Sequence, residues 1–274
     1  MNLQNELQSL MMKYRFRPEK RLSQHFVVSE ELLQSIIREA DLSPKDRVLE
    51  IGAGTGFLTR ELIKHARVTA FEKDESLCAL LRETISNPNL DLRCEDFLDA
   101  KLSNGTFTKV VCFPPYAISS EIIYKIFETG FDKAVLVFQK EFVHKLLAQP
   151  GFSDYGAISV MAQYFSIPEM VQTVDPSSFF PKPTGLSALV RFACQKRFGK
   201  VSHEPAFIEL VKQLFRFKNK SLQNAFELAA PFLKDKVFSK KNLQGRLEKL
   251  DFADEKVYLL EVEQFVELFQ TLAK

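Results

Sequence analysis

The stretch Val48-Leu49-Glu50-Ile51-Gly52-Ala53-Gly54-Thr55-Gly56 decides how this chain is read. An apolar strand ends in an acid, glycine then stands at every second position, and a helix is expected to begin near Phe57. Glycine lets the backbone turn sharply and approach a ligand closely, because no Cβ intervenes. Such a turn between a strand and a helix, at the carboxyl end of a parallel sheet, is where nucleotide-like cofactors dock. The spacing is G-x-G-x-G, not the dinucleotide pattern G-x-G-x-x-G. That favours a nucleoside cofactor without a pyrophosphate, cradled by Gly52, Ala53, Gly54 and Gly56.

Two further strand ends carry acids. Val68–Glu72 closes on Glu72, followed by Lys73, about 20 residues beyond Gly52, where a carboxylate is placed to accept from the hydroxyls of a ribose. Leu90–Phe97 brings Asp96 to a third strand end with Phe97 beside it. An acid that accepts from an adenine amino group, next to an apolar ring, suits an adenosine moiety. Any one of these acids alone could be a solvated strand terminus; three in register argue for a site. The ordered set resembles the class I S-adenosylmethionine-dependent methyltransferases, which implies S-adenosyl-L-methionine as cofactor.

At 274 residues the chain can hold one sizeable α/β domain and a smaller second one. It is 46% hydrophobic and 26% charged, ordinary for a globular protein. No apolar run approaches the roughly 18 residues of a membrane span, so no membrane association is expected. The first 20 residues lack a signal-peptide core, and Glu6 and Glu19 argue against a transit peptide, so the expected location is cytoplasmic. Cys78, Cys94, Cys112 and Cys194 are isolated and read as reduced thiols, neither a zinc site nor a disulfide framework, and no metal is expected.

The net charge of +2 says little, but its distribution says more. Lys13, Arg15, Arg17, Lys20 and Arg21 cluster against Glu19, and residues 195–250 carry 13 Lys/Arg against 5 Asp/Glu. Two basic regions flanking a less basic body suit a polyanion held at the rims of a site. Lys-rich solvated helices are the alternative.

The pattern predicts a basic N-terminal extension over 1–21, a cofactor-binding domain over 22–198 and a helical domain over 199–274 whose basic excess suits a nucleic acid. A helix is expected over Glu30–Ala40 with Ser29 as N-cap. Strand and helix signals then alternate to about Leu147, including strands Lys109–Cys112 and Ala134–Phe138, which predicts a doubly wound, mainly parallel sheet. Gln163–Val174 and Ser187–Ala193 are expected to complete it as strands. Helices follow over Phe207–Phe217, Ser221–Ala230, Asn242–Leu247 and Val262–Ala273.

The chemistry is expected after the fourth strand, at Phe113-Pro114-Pro115-Tyr116. Amino-group methyltransferases commonly carry [Asn/Asp/Ser]-[Pro/Ile/Leu]-Pro-[Tyr/Phe] there. An exocyclic purine amine is a poor nucleophile, and hydrogen bonds from its protons to a side-chain oxygen and a backbone carbonyl free its lone pair. The aromatic stacks on the base, and the prolines fix carbonyl directions. The base must be flipped out or presented from a loop.

Further segments resemble the small-subunit ribosomal RNA adenine N6,N6-dimethyltransferases along nearly the whole chain. Leu22-Ser23-Gln24-His25-Phe26-Val27 is similar to the family's N-terminal L-G-Q-[HN]-F-L, which implies cofactor contact by His25 and Val27. Gln139-Lys140-Glu141 and Tyr155-Gly156 match its internal motifs. Phe179-Phe180-Pro181-Lys182-Pro183 resembles the segment whose aromatic sandwiches the target base, which implies substrate contact by Phe179 or Phe180. Phe217-Lys218-Asn219-Lys220-Ser221-Leu222 resembles the basic helix start of its RNA-binding domain, which implies RNA contact by Lys218 and Lys220. The implied partner is small-subunit ribosomal RNA or a pre-ribosomal particle, met by a monomer.

One departure stands out: Phe113 occupies the family's asparagine position, and a phenyl ring accepts no hydrogen bond from N6. A missing acceptor of this kind costs on the order of 10²–10³ in rate. The expectation is therefore an adenine-N6 dimethyltransferase, with a slow or inactive RNA-binding assembly factor as the alternative. A methyltransferase for another amine would share Pro-Pro-Tyr but not the RNA-type motifs at the two ends. His65, His144 and His203 have no partner at catalytic or ligand spacing and read as packing or surface residues.

Overall fold

The computed structural model describes residues 2–194, 198–199, 201–239 and 243–273. Contacts divide the chain into two compact units, Met1–Val143 with Glu169–Cys194, and His144–Pro168 with Gln195–Lys274.

The first unit is built on a seven-stranded sheet. Its strands, in chain order after the short β1 (Phe26–Val27), are β2 (Arg47–Ile51), β3 (Arg67–Glu72), β4 (Leu90–Cys94), β5 (Lys109–Cys112), β6 (Lys133–Gln139), β7 (Ile167–Val174) and β9 (Ser187–Ala193). β8 (Phe179–Phe180) instead pairs with β1, Phe26 opposite Phe180 and Val27 opposite Phe179. The sheet order is β4-β3-β2-β5-β6-β9-β7; pairs among β2 to β6 are parallel, and β9 runs antiparallel to β6. The chain winds outward one way through β3 and β4 and the other way through β5 and β6. This reversal between β2 and β5 opens a crevice at the strands' carboxyl ends. The Gly52–Gly56 turn follows β2, and Phe113–Tyr116 follows β5, so both motifs flank that crevice.

Burial explains the strand assignments. Val48, Leu49, Val110, Val111 and Ala134–Phe138 are almost wholly buried, as parallel strands covered on both faces require. Helices α1 (Leu3–Tyr14), α2 (Glu30–Ala40), α3 (Phe57–Leu62), α4 (Glu75–Thr84) and α5 (Ser119–Thr129) belong to this unit. α2 has the expected bounds, and the Ser29 hydroxyl accepts from the Leu32 N–H at 3.2 Å. The basic N-terminal segment is part of the packed body: Leu7 and Phe16 are buried in its core.

The second unit contains α6 (Lys140–Leu147) from its second turn, then α7 (Ala157–Phe165), α8 (Glu204–Phe215), α9 (Leu222–Ala229), α10 (Leu243–Leu247) and α11 (Val262–Ala273). Its core is aromatic: Tyr164 meets Phe207 at 4.8 Å and Phe207 meets Phe269 at 5.7 Å. The Tyr155 hydroxyl donates to the Leu260 carbonyl at 2.9 Å. These contacts draw residues 144–168 to the C-terminal helices, so the compact units differ from the expected 1–21, 22–198 and 199–274 division by this segment and by the N-terminal residues, which fall in the first unit.

Two expectations are corrected. Gln163–Phe165 is the end of α7, and the strand begins only at Ile167. A short apolar run buried on most sides has no periodicity that separates helix from strand. Cys78 and Cys94 are not separate thiols but form a disulfide, with Cα atoms 5.9 Å apart. α4 returns over β3 and β4, a proximity that a separation of 16 residues does not reveal. Cys112 is buried. Asn242 of the expected Asn242–Leu247 helix lies outside the described residues; the helix starts at Leu243.

Candidate active site

The glycine turn is held by its neighbouring strand. Backbone N–H groups of Gly52 and Ala53 donate to the Phe71 carbonyl at 2.8 and 3.1 Å. Gly54 has φ +58°, and a Cβ there would come within 3.3 Å of the Phe26 ring. Gly56 has φ +80°, and a Cβ there would lie 2.7 Å from Leu81 and Ile85 side-chain carbons. Glycine at these two positions is required by both backbone conformation and space.

Glu72 is 7% exposed. Its Oε2 accepts from Gly54 N–H at 2.8 Å, and its Oε1 accepts from the N–H groups of Lys73 and Asp74, each at 2.9 Å. Burial raises its pKa, and the backbone donors oppose that rise. Three of about four acceptor positions are used. Asp96 accepts from the Lys73 ammonium and the Leu98 N–H, both at 2.9 Å. Partial burial would raise its pKa, but these hydrogen bonds outweigh that and hold it below the usual value.

A cavity of about 810 Å³, counting its open mouth, brings most of the expected site together. His25, Gly52, Gly54, Glu72, Lys73, Phe113, Pro114, Pro115, Tyr116 and Phe179 line it. Phe113 meets Phe179 edge-on at 5.9 Å, and the Tyr116 ring stacks with His25 at 5.7 Å. The Tyr116 hydroxyl bonds Ser187 Oγ at 2.7 Å, and burial pushes its pKa up to about 12.

Other expected residues stand outside the lining. Val27, Ala53 and Phe97 are buried, and Phe97 packs edge-on against Phe71 at 5.4 Å. Gly56 packs toward α4 and its C-cap Ile85, Asp96 meets the cavity through Lys73, and Phe180 pairs with Phe26. In the second unit the Lys218 ammonium donates to the Ser153 carbonyl at 3.0 Å, while Lys220 is exposed just ahead of the Ser221 cap of α9.

The structure adds two residues that were not among the expected site residues. The Lys125 ammonium, from α5, donates to the carbonyls of Phe97, Leu98 and Ala100 and so ties down the turn after Asp96. Gln24 donates to Asp74 Oδ2 at 2.9 Å and accepts from Glu19 N–H at 2.8 Å, which fixes the N-terminal motif beside α4. Gln24 carried a motif signal; Lys125, on an amphipathic helix, carried none.

A family model described as ribosomal RNA adenine dimethylase matches residues 15–274. The chain belongs to the ribosomal RNA adenine dimethylase family. A "ribosomal RNA small subunit methyltransferase A" from Thermotoga neapolitana is 37% identical, covering 94% of this chain and 92% of that one. A "probable ribosomal RNA small subunit methyltransferase A" from Thermococcus gammatolerans is 32% identical over 97% and 93%. Among solved structures, a dimethyladenosine transferase from Plasmodium falciparum aligns with a TM-score of 0.76 at 26% identity, covering 89% and 96%. Family members use S-adenosylmethionine, and the cavity fits it. The Gly54 backbone, without a Cβ, stands at the wall beside Glu72, whose carboxylate keeps an acceptor position for a ribose hydroxyl.

Proposed function

We propose that this chain dimethylates N6 of adenine in small-subunit ribosomal RNA. The observation that carries this reading is the single cavity in which Gly52, Gly54 and Glu72 face Pro114, Pro115 and Tyr116 across the switch between β2 and β5. When bound, S-adenosylmethionine supplies an electrophilic methyl group. The glycine turn and Glu72 hold the nucleoside half, and Lys73 with Asp96 closes the adenine end. Tyr116 and Phe179 flank the target base, and the Pro114 carbonyl accepts a hydrogen bond from N6, whose proton leaves to solvent through the mouth of the cavity. Phe180, paired in the β1–β8 ladder, supports this wall from outside the lining.

The helical residues from 199 on hold the RNA, with Lys218 and Lys220 at phosphates. The chain acts as a monomer on a pre-ribosomal particle in the cytoplasm. Among the described residues no helix is long and apolar enough to cross a membrane.

The test is incubation of the purified protein with labelled S-adenosylmethionine and small ribosomal subunits lacking the modification. The expected product is N6,N6-dimethyladenosine after nuclease digestion. Binding of cofactor and RNA without labelled adenosine would shift the reading to an assembly factor, as Phe113 in the acceptor position favours.

A further inference from the structure

The Cys78–Cys94 bridge fastens together the two segments that carry the acids Glu72 and Asp96. Cys78 lies near the start of α4, with Sγ 3.4 Å from the Glu72 carbonyl oxygen. Cys94 ends β4, where it stands opposite Glu72 in the parallel ladder with β3 and two residues ahead of Asp96. β4 is the edge strand of its sheet, and Asp91, Arg93 and Cys94 on it are exposed. A strand with one neighbour and little burial is among the first parts of a fold to open. The bridge to α4 is therefore a second hold on the strand that delivers Asp96. Its two sulfurs differ in access: Cys78 is 1% exposed, whereas Cys94 is exposed.

We propose that the Cys78–Cys94 bridge is a thiol–disulfide exchange site for a soluble dithiol, and that the closed form binds S-adenosylmethionine more tightly than the open form. The inference rests on the reading of Glu72 and Asp96 as cofactor contacts. A thiolate of the dithiol attacks Cys94 Sγ, the exposed end, and forms a mixed disulfide there. Cys78 Sγ leaves with the electron pair of the broken bond and takes a proton from water. The dithiol's second thiolate attacks its own sulfur in the mixed disulfide, and Cys94 leaves and is protonated in turn. The protein gains two electrons and two protons, and the dithiol becomes a cyclic disulfide. The buried Cys78 thiol then has the Glu72 carbonyl as its acceptor. Opening leaves the end of β4 held by β3 alone. Lys73 and Lys125 still engage Asp96 and the turn after it, so binding weakens and is not abolished.

The test equilibrates wild type, Cys78→Ser/Cys94→Ser and Cys194→Ser in buffers of graded reduced-to-oxidised dithiothreitol ratio. Thiols are counted by alkylation and mass spectrometry of the denatured protein, and S-adenosylmethionine affinity is measured by calorimetry at each end of the series. Of the four cysteines, two should be alkylated in closed wild type and all four in the open form. Opening should weaken cofactor affinity at least about fivefold, and by reciprocity saturating S-adenosylmethionine should raise the midpoint ratio by the same factor. Cys194→Ser should respond as wild type does, while Cys78→Ser/Cys94→Ser should match open wild type at every ratio. Circular dichroism should show the open form folded. Four alkylated thiols at every ratio would overturn the proposal. Equal affinities with an unmoved midpoint, or an affinity loss that merely follows unfolding, would overturn it while leaving the cofactor reading intact. No S-adenosylmethionine binding in either form would overturn both.

Discussion

Oε2 of Glu72 accepts the backbone N–H of Gly54 at 2.8 Å, so the acid that ends β3 holds the glycine turn that ends β2. The same carboxylate caps the N–H groups of Lys73 and Asp74 through Oε1. The glycine turn and the acid at the end of β3 are thus one mechanical unit.

Glu72→Gln tests that unit. An amide keeps one acceptor oxygen and turns an N–H donor toward at least one backbone donor. Each buried donor left without a partner costs about 1–3 kcal/mol. The expected result is a lower unfolding midpoint and cofactor affinity weakened at least about tenfold, read by calorimetry. Unchanged affinity would mean that the loop holds its shape without the carboxylate.

Glu50 gives a pH prediction. It is 1% exposed at the end of β2, Oε2 has no hydrogen-bond partner among the described residues, and burial, with the charge of Glu72 nearby, pushes its pKa up to about 8. Between the ordinary 4.5 and about 8, the folded state keeps a proton that the unfolded state has lost. Stability therefore falls as pH rises through that window, by up to about 1.4 kcal/mol per unit. In urea unfolding from pH 5.5 to 8.5, the wild type should lose stability relative to Glu50→Gln. Parallel curves for the two proteins would contradict this assignment.

Much of the candidate cavity was legible because the residues that line it sit at strand ends. Gly52, Glu72 and Tyr116 each follow a run of buried apolar residues, and a strand's end can be read from where that run stops. Ser29 and α2 were legible for a similar local reason, a capping hydroxyl ahead of an amphipathic run. What escaped depended on non-local packing. Phe97 lies next to Asp96 in sequence, but the edge of Phe71 draws its ring into the core. The Cys78–Cys94 bond depends on α4 folding back over β4, and the separation of Phe179 from Phe180 depends on which of two adjacent side chains a two-residue ladder turns inward.

Lys125 is the strongest of the contacts that no spacing announced. Its ammonium serves the carbonyls of Phe97, Leu98 and Ala100, the last two at 2.7 Å. Lys125→Met preserves the stem and removes all three donors. The expected loss is about 1–3 kcal/mol of stability, with a matching fall in cofactor affinity as the turn after Asp96 loosens. A chemical denaturation curve with an unshifted midpoint would show that water satisfies those carbonyls.

Lys220 separates RNA binding from cofactor binding. Its side chain is exposed, and its backbone is fixed by the Phe217 carbonyl and the Val257 N–H. Lys220→Ala therefore removes a charge without disturbing the α9 cap. A lysine at a phosphate releases about one counterion on binding. The variant should bind a small-subunit RNA fragment several-fold more weakly at low salt, and the slope of log affinity against log salt should become shallower by about one. Cofactor affinity, measured on the same preparation, should not change, because Lys220 is far in sequence from every residue lining the cavity. An unaltered salt slope would move the RNA contact away from the start of α9 and toward the Lys13–Arg21 cluster.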